Sequence, residues 1–191
     1  MGGSNEMLFS NNKKAFLDNL FYNLGKQNYN FYVAGTFLQK DGTIGFSKWK
    51  TYMEAVSIID FDGSCSSDWK KQKFFEQINQ RQILPFEIVL DVEEREQIKP
   101  IILILKNLKS INVNEYFIYE TGSRGYHIHI FMNENINERF SEEEKLFLIK
   151  KFGTDTQKCS DKTLIALENC PHWKTGKIKK QISEKEILDG K

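Results

Sequence analysis

Glu120-Thr-Gly-Ser-Arg-Gly-Tyr-His-Ile-His-Ile130 reads as a strand, a tight glycine turn and a returning strand. Gly122 and Gly125 supply the positive φ that such a turn demands. Side chains alternate across a strand, so His127 and His129 share one face while Tyr126, Ile128 and Ile130 take the other. The hairpin decides the fold because of what precedes it. Phe86-Glu-Ile-Val-Leu-Asp-Val-Glu93 has the apolar run of a buried strand. From about Gln97 to Lys109 the apolar residues recur at helical spacing, with Pro100 placed in the first turn, where proline is tolerated. The run from Phe86 to Met132 is therefore β-α-β-β, an RRM-type core with an antiparallel sheet.

Upstream, Phe16, Leu17, Leu20, Phe21 and Leu24 have helical spacing between Asn12 and Lys26. Strands over 31–38 and 43–49 flank the turn Lys40-Asp41-Gly42, and a third strand is expected over about 55–61. Residues 67–80 read as an amphipathic helix. Downstream, Ser141 and Glu144 form a capping box that opens a helix running to about Lys151, and 164–182 is strand and loop ending in lysines. The expectation is an α/β fold of the α+β kind in one domain over 1–191. Its smaller N-terminal α/β lobe covers about 1–82, and its RRM-like lobe about 83–191.

Fifteen Phe and seven Tyr suit packed sheets and base-stacking surfaces alike. A net charge of +1 excludes a globally basic nucleic-acid coat but not a local basic groove. Cys65, Cys159 and Cys170 are scattered and form no CxxC, so neither a disulfide scaffold nor structural zinc is expected, and a reducing cytoplasm fits best. The longest apolar run, Ile101 to Leu105, is too short to span a bilayer, and the N-terminus lacks a signal-peptide apolar run. No membrane partner is expected.

Asp91 and Glu93, two apart on a strand, project from one face, and paired carboxylates repel unless a cation lies between them. Hard oxygen donors favour Mg²⁺ or Mn²⁺. The competing reading is a strand end running into a solvated acidic turn with Glu94 and Glu96. Asp60-Phe-Asp62 repeats the pattern, but its Gly63-Ser64 continuation is turn-like, and it lacks the following helix and hairpin. In the turn Thr121 to Gly125, Ser123 and Arg124 add donors beside a permissive backbone that can cradle an anion, with His127 next in line. A plain hairpin with one core histidine remains the alternative. A third segment carries Asp155, Lys158 and Asp161, then His172-Trp-Lys-Thr-Gly-Lys177. Asp155 could complete a three-carboxylate, two-metal site, while His172, Lys174 and Thr175 suit phosphate contacts. Lys177, Lys179 and Lys180 read equally as a solvated tail or as template contacts.

These motifs resemble the catalytic core of the archaeo-eukaryotic primase (primase–polymerase) superfamily. Leu90-Asp91-Val92-Glu93 is similar to its hydrophobic-Asp-x-Asp/Glu motif, and Thr121-Gly-Ser-Arg-Gly-Tyr-His127 to its S/T-G-x-R-G-x-H motif. Asp155, followed by a strand and His172-Trp-Lys-Thr-Gly176, matches the order of the remainder. The resemblance covers about Phe86 to Lys180. It implies that Asp91, Glu93 and Asp155 bind two divalent ions, Mg²⁺ or Mn²⁺. It also implies that Ser123, Arg124, Gly125 and His127 hold a nucleoside triphosphate, with His172 and Lys174 assisting and His129, Lys158 and Thr175 as less defined neighbours. The implied reaction is attack of a 3′-OH on the α-phosphate of an NTP or dNTP, directed by a single-stranded or primed DNA template.

Departures from the family pattern narrow this further. The gap from His127 to Asp155 is short, the zinc-binding cysteine module is absent, and Leu164 to Leu167 lacks the arginine often found there. These favour a compact core from a mobile element, a CRISPR-associated system or a repair pathway, whole or part of a longer chain, working with helicase, CRISPR or replication and repair partners. Two other readings compete. His127-Ile-His129 also fits the His-hydrophobic-His nucleases of rolling-circle replication and relaxases, but no Tyr follows Tyr126 to serve as nucleophile; Tyr22 or Tyr29 upstream would have to serve. A non-catalytic RRM-like module would stack bases on Phe31-Tyr32 or Tyr116-Phe117 without needing metal.

Overall fold

The computed structural model describes residues 13, 15–18, 20, 30–56, 77–107, 113–132 and 140–189. The chain is mixed α/β and divides into two compact units. One comprises 1–82 and 164–178, the other 83–163 and 179–191. Segment 164–178, placed in the RRM-like lobe by sequence, therefore belongs with the first unit.

In the first unit, β1 (Tyr32–Ala34), β4 (Lys50–Thr51), β5 (Gln80–Gln82) and β9 (Leu164–Ala166) form an antiparallel sheet in the order β4-β1-β5-β9. The recruitment of 164–178 follows from the β5–β9 ladder and from a buried bidentate pair, in which Arg81 Nε and Nη2 each donate to Glu168 at 2.8 Å. The sequence read 31–38 as one strand, but Gly35 interrupts it: a Cβ there would meet Gln77 O at 2.5 Å. Beyond it, β2 (Thr36–Leu38) pairs with β3 (Ile44–Phe46) around the expected turn, where Gly42 has φ 81° and Asp41 accepts from Thr43 N–H and Oγ1.

Two expectations here are corrected. Tyr52–Val56 is a helix, α1, and not the start of a third strand. Thr51 and Glu54 cap it reciprocally, a capping box that outweighed the β-branched content of the window. Gln80, assigned to the end of a helix, is in β5, and residues 78–79 are not helical. Residues 57–61 and 67–76, with Asp60 and Asp62, lie outside the described residues. So does most of 12–26, of which 13, 15–18 and 20 are helical, with Phe16, Leu17 and Leu20 buried.

In the second unit, β6 (Glu87–Val92), α2 (Arg95–Asn107), β7 (Val113–Glu120) and β8 (Tyr126–Met132) realise the β-α-β-β run. β8 pairs antiparallel with both β6 and β7, giving a split β-α-β unit. Ile98, Ile101, Ile102 and Leu105 repeat at i, i+3, i+4 and i+7 along α2 and are buried against Ile88, Leu90 and Val92 of β6 and Ile128 and Ile130 of β8. Each such side chain contributes about 1.5–3 kcal/mol of transfer free energy. α2 begins two residues earlier than expected, so Pro100 lies in its second turn and leaves the helix one N–H short there.

α3 (Glu142–Lys151) starts at the expected capping box, with Ser141 Oγ accepting from Glu144 N–H. A 3-10 helix (Thr156–Cys159), β10 (Lys180–Ile182) and α4 (Glu184–Leu188) complete the unit. The sheet order is β10-β7-β8-β6. An RRM places its last strand beside its first; here β10 lies beside β7, antiparallel, with Ile182 opposite Ile118. Among the described residues, no helix is long and apolar enough to cross a membrane.

Candidate functional site

The sheet of the second unit has two faces of opposite character. Ile88, Leu90 and Val92 face the helices, so Glu87, Val89 and Asp91 face away from them. In register with these are His127 and His129 on β8, Phe117 and Tyr119 on β7, and Gln181 on β10. One cross-strand row therefore reads Asp91, His127, Tyr119, Gln181.

Asp91 lies directly opposite His127, with His127 Nε2 3.7 Å from Asp91 Oδ2 and Lys158 Nζ 3.5 Å from the same oxygen. Burial raises the Asp91 pKa, but the His127 imidazole and the Lys158 ammonium outweigh it and hold the carboxyl below its usual value. Burial, then the Lys179 charge, pushes His127 down to about 3 against the pull of Asp91. His127 is thus a neutral imidazole at physiological pH. Its Nδ1 is buried and makes no hydrogen bond with any described residue, and neither does Gln181 Oε1 in the same row.

The turn between β7 and β8 is built by Thr121. Its N–H donates to Gly125 O at 3.2 Å, and its hydroxyl lies within 3.2 Å of the Arg124 and Gly125 carbonyls. Gly122 and Gly125 have φ 77° and 85°. A Cβ on Gly125 would stand 2.4 Å from Val92 O and 2.9 Å from Glu93 Cα. Gly125 is therefore required by packing: the turn rests on the end of β6, which brings the Ser123-Arg124 tip beside the acid pair. The Arg124 guanidinium is 3.6 Å from Glu93 and 4.0 Å from Glu94, in exposed contacts worth little to stability.

His129 does different work. Its Nδ1 is 2.6 Å from Glu87 Oε1 and its Nε2 is 3.0 Å from Lys179 Nζ, all three side chains being buried. An imidazole protonated on Nδ1 donates to Glu87 and accepts from the Lys179 ammonium, which satisfies both ring nitrogens. Leu84 N–H donates to the other Glu87 oxygen, and the Lys179 ammonium sits 5.1 Å from the Tyr119 ring centroid. Lys179 is thus neither a solvated tail residue nor a surface contact. Sequence reasoning did not single out Glu87; its signal was an acid inside an apolar run, at the same strand parity as Asp91. Lys179 had no signal beyond its place among lysines.

The remaining motif residues have their own local partners. Asp155 is exposed and caps the 3-10 helix, accepting from Gln157 N–H at 2.9 Å. Among the described residues no group of three His, Cys, Asp or Glu side chains is gathered for a metal ion. Asp91 and Glu93 offer two hard-oxygen donors that fit Mg²⁺ or Mn²⁺ in kind, each with a cationic side chain beside it. His172, Lys174 and Thr175 lie in the first unit. They form a closed turn in which His172 N–H donates to Lys177 O and Gly176 N–H to His172 O, both at 2.8 Å. His172 Nδ1 accepts from Lys174 N–H at 3.3 Å, and burial with Lys174 lowers its pKa. Lys174 and Thr175 are exposed.

No protein-family model matches the chain, and no curated protein matches it.

Proposed function

We propose that the chain is a nucleotidyltransferase of the primase–polymerase kind, extending a 3′-OH on a DNA template with NTPs or dNTPs and releasing pyrophosphate. The observation that carries this reading is the register placing Asp91 opposite His127 while the Ser123-Arg124 turn rests on Val92 and Glu93. Two motifs thirty residues apart thereby share one sheet end, with ionised carboxylate, neutral imidazole, guanidinium and ammonium side by side.

In this reading Asp91 and Glu93 hold divalent ions, which supply Lewis-acid stabilisation of the attacking and leaving oxygens. Arg124 and Lys158 exchange their carboxylate partners for phosphate oxygens and neutralise charge there. His127 is neutral and carries a single N–H; once Asp91 turns from its Nε2 to a metal ion, that proton can sit on the unpartnered Nδ1 and be donated to a phosphate oxygen. Ser123 adds a hydroxyl donor at the turn. His172 and Lys174, on their own closed turn, are a second group suited to phosphate.

The rivals find less support. A His-hydrophobic-His nuclease needs open nitrogens on both imidazoles, and those of His129 are taken by Glu87 and Lys179. An RRM-like module stacks bases on exposed sheet aromatics. Of the rings that reading would use, Phe31 and Phe117 are buried and Tyr116 is partly buried, which leaves Tyr32 as the exposed one.

The test is incubation with primed and unprimed single-stranded template, labelled nucleotides and Mn²⁺, beside an Asp91→Asn, Glu93→Gln variant. Extension by the protein that the variant loses supports the proposal. A covalent protein–DNA adduct, or binding with no incorporation, overturns it.

A further inference from the structure

We propose that the outer face of α3 is a self-association surface, on which a second copy of this chain docks antiparallel about a two-fold axis at Phe147. α3 places its side chains against the usual rule. Lys145 is buried, its ammonium donating to Leu84 O at 2.8 Å, while Phe147 is 66% exposed. Lys145 and Ile149, four apart, form the stripe turned inward. The opposite stripe carries Glu143, Phe147 and Lys151, again at four-residue steps, with Glu144 and Lys150 flanking it, and all five are exposed. Beside the Phe147 ring lies an open groove of about 570 Å³, whose apolar wall is Phe140 and Leu148 and whose rim is Ser141, Glu143 and Glu144. An exposed aromatic thus stands mid-face, with two acids one turn before it and two lysines one turn after.

The charge pattern identifies the occupant. The acids and lysines of this face are six to eight residues apart, whereas pairing within a helix needs a spacing of three or four, so α3 cannot satisfy them itself. An antiparallel copy can. Glu143 and Glu144 lie about 4.5–6 Å along the axis before Phe147, and Lys150 and Lys151 the same distance after it. A two-fold axis at Phe147, perpendicular to α3, therefore sets Glu143 opposite Lys150 of the second copy and Glu144 opposite its Lys151, each pair occurring twice. A parallel copy would set acids on acids and lysines on lysines. A basic peptide would meet the acids but be repelled by the lysines, and an acidic one the reverse. The two Phe147 rings meet at the axis, with Phe140 and Leu148 alongside, and leave water together. Exposed ion pairs fix orientation more than strength, and the face of one ten-residue helix is a small interface, so the dimer is weak and concentration-dependent.

The test is sedimentation equilibrium of the full chain from micromolar to near-millimolar concentration. The parent should pass from monomer to dimer. Phe147→Ser, a change at an exposed position, should weaken dimerisation about tenfold or more with unchanged circular dichroism. Glu143→Lys and Lys150→Glu should each weaken it too. The double variant Glu143→Lys, Lys150→Glu should recover the parent's affinity, because the swap keeps every facing pair opposite in sign. Asp91→Asn is the control and should dimerise like the parent, so this contact and the nucleotidyl-transfer reading stand or fall separately. A parent that stays monomeric throughout overturns the proposal. So does a dimer untouched by Phe147→Ser, or a double variant as weak as the single reversals. Species larger than a dimer would mark a contact that does not close, and would overturn the two-fold arrangement.

Discussion

At the scale of single residues, Gly125 and His127 carry the most specific consequences. Gly125 combines φ 85° with a backbone contact that leaves no room for a methyl, whereas Gly42 has φ 81° and nothing within 4 Å. Gly42→Ala should cost about 1–2 kcal/mol from the left-handed backbone alone. Gly125→Ala should cost more, and should also displace the Ser123-Arg124 tip from β6. Urea unfolding of the two variants checks the order; equal losses would show that the turn does not rest on Val92. His127 predicts a pH dependence. Its folded pKa of about 3 lies below the usual 6.5, so below pH 6.5 the unfolded chain takes up a proton that the folded chain refuses. Stability is therefore lost progressively as pH falls from 6.5 toward 3. His127→Gln should flatten that slope in urea titrations at pH 7 and pH 4.5, and an unchanged slope would contradict a buried neutral imidazole.

At the scale of elements, the hairpin of β7 and β8, strand β6 and the Ser141 cap were legible because each has a local cause: alternation, glycine at positive φ, a hydroxyl three residues before a glutamate. Ser141→Ala should lower stability by about 1 kcal/mol in the same assay. The errors were also local in origin. Thr51 and Glu54 carry a capping box just ahead of the window from about 55 that was read as a strand, and β5 was hidden in Gln80-Arg-Gln82, whose polar side chains are held by tertiary partners such as Glu168. Pairings between distant strands have no local signature. Nothing in Lys180-Gln-Ile182 indicates that it pairs with β7 and not β6, and nothing in the lysine-rich tail marks Lys179 as the buried partner of His129. The Glu87–His129–Lys179 chain makes a strong demand of its own. Removing one member of a buried charged network strands the rest, at about 3–5 kcal/mol, so Glu87→Ala should be among the most destabilising changes in the second unit. A loss under 1 kcal/mol in urea unfolding would show that these groups reach water.

At the scale of the whole molecule, the chain leaves its second unit after Thr163, completes the first unit's sheet with β9, and returns at Lys179. The acids and the glycine turn thus belong to one unit and the His172-Lys174 turn to the other, an allocation that motif order in the sequence did not convey. The motif residues Asp91, Glu93, Ser123, Arg124 and His127 were readable in advance because strand parity and glycine turns are short-range rules. The buried roles of Glu87 and Lys179 depend on long-range packing and were not, while Lys158 was marked only as a neighbour of the site. The account's central claim is that Asp91, beside His127, serves nucleotidyl transfer. The most direct measurement is incorporation of a labelled nucleotide on a primed template with Mn²⁺, for the parent protein and for Asp91→Asn of matched folded content. The account predicts incorporation by the parent and a loss of at least about a hundredfold in the variant, as expected for removing a group that stabilises transition-state charge. Equal incorporation by both proteins, or none by either, would contradict it.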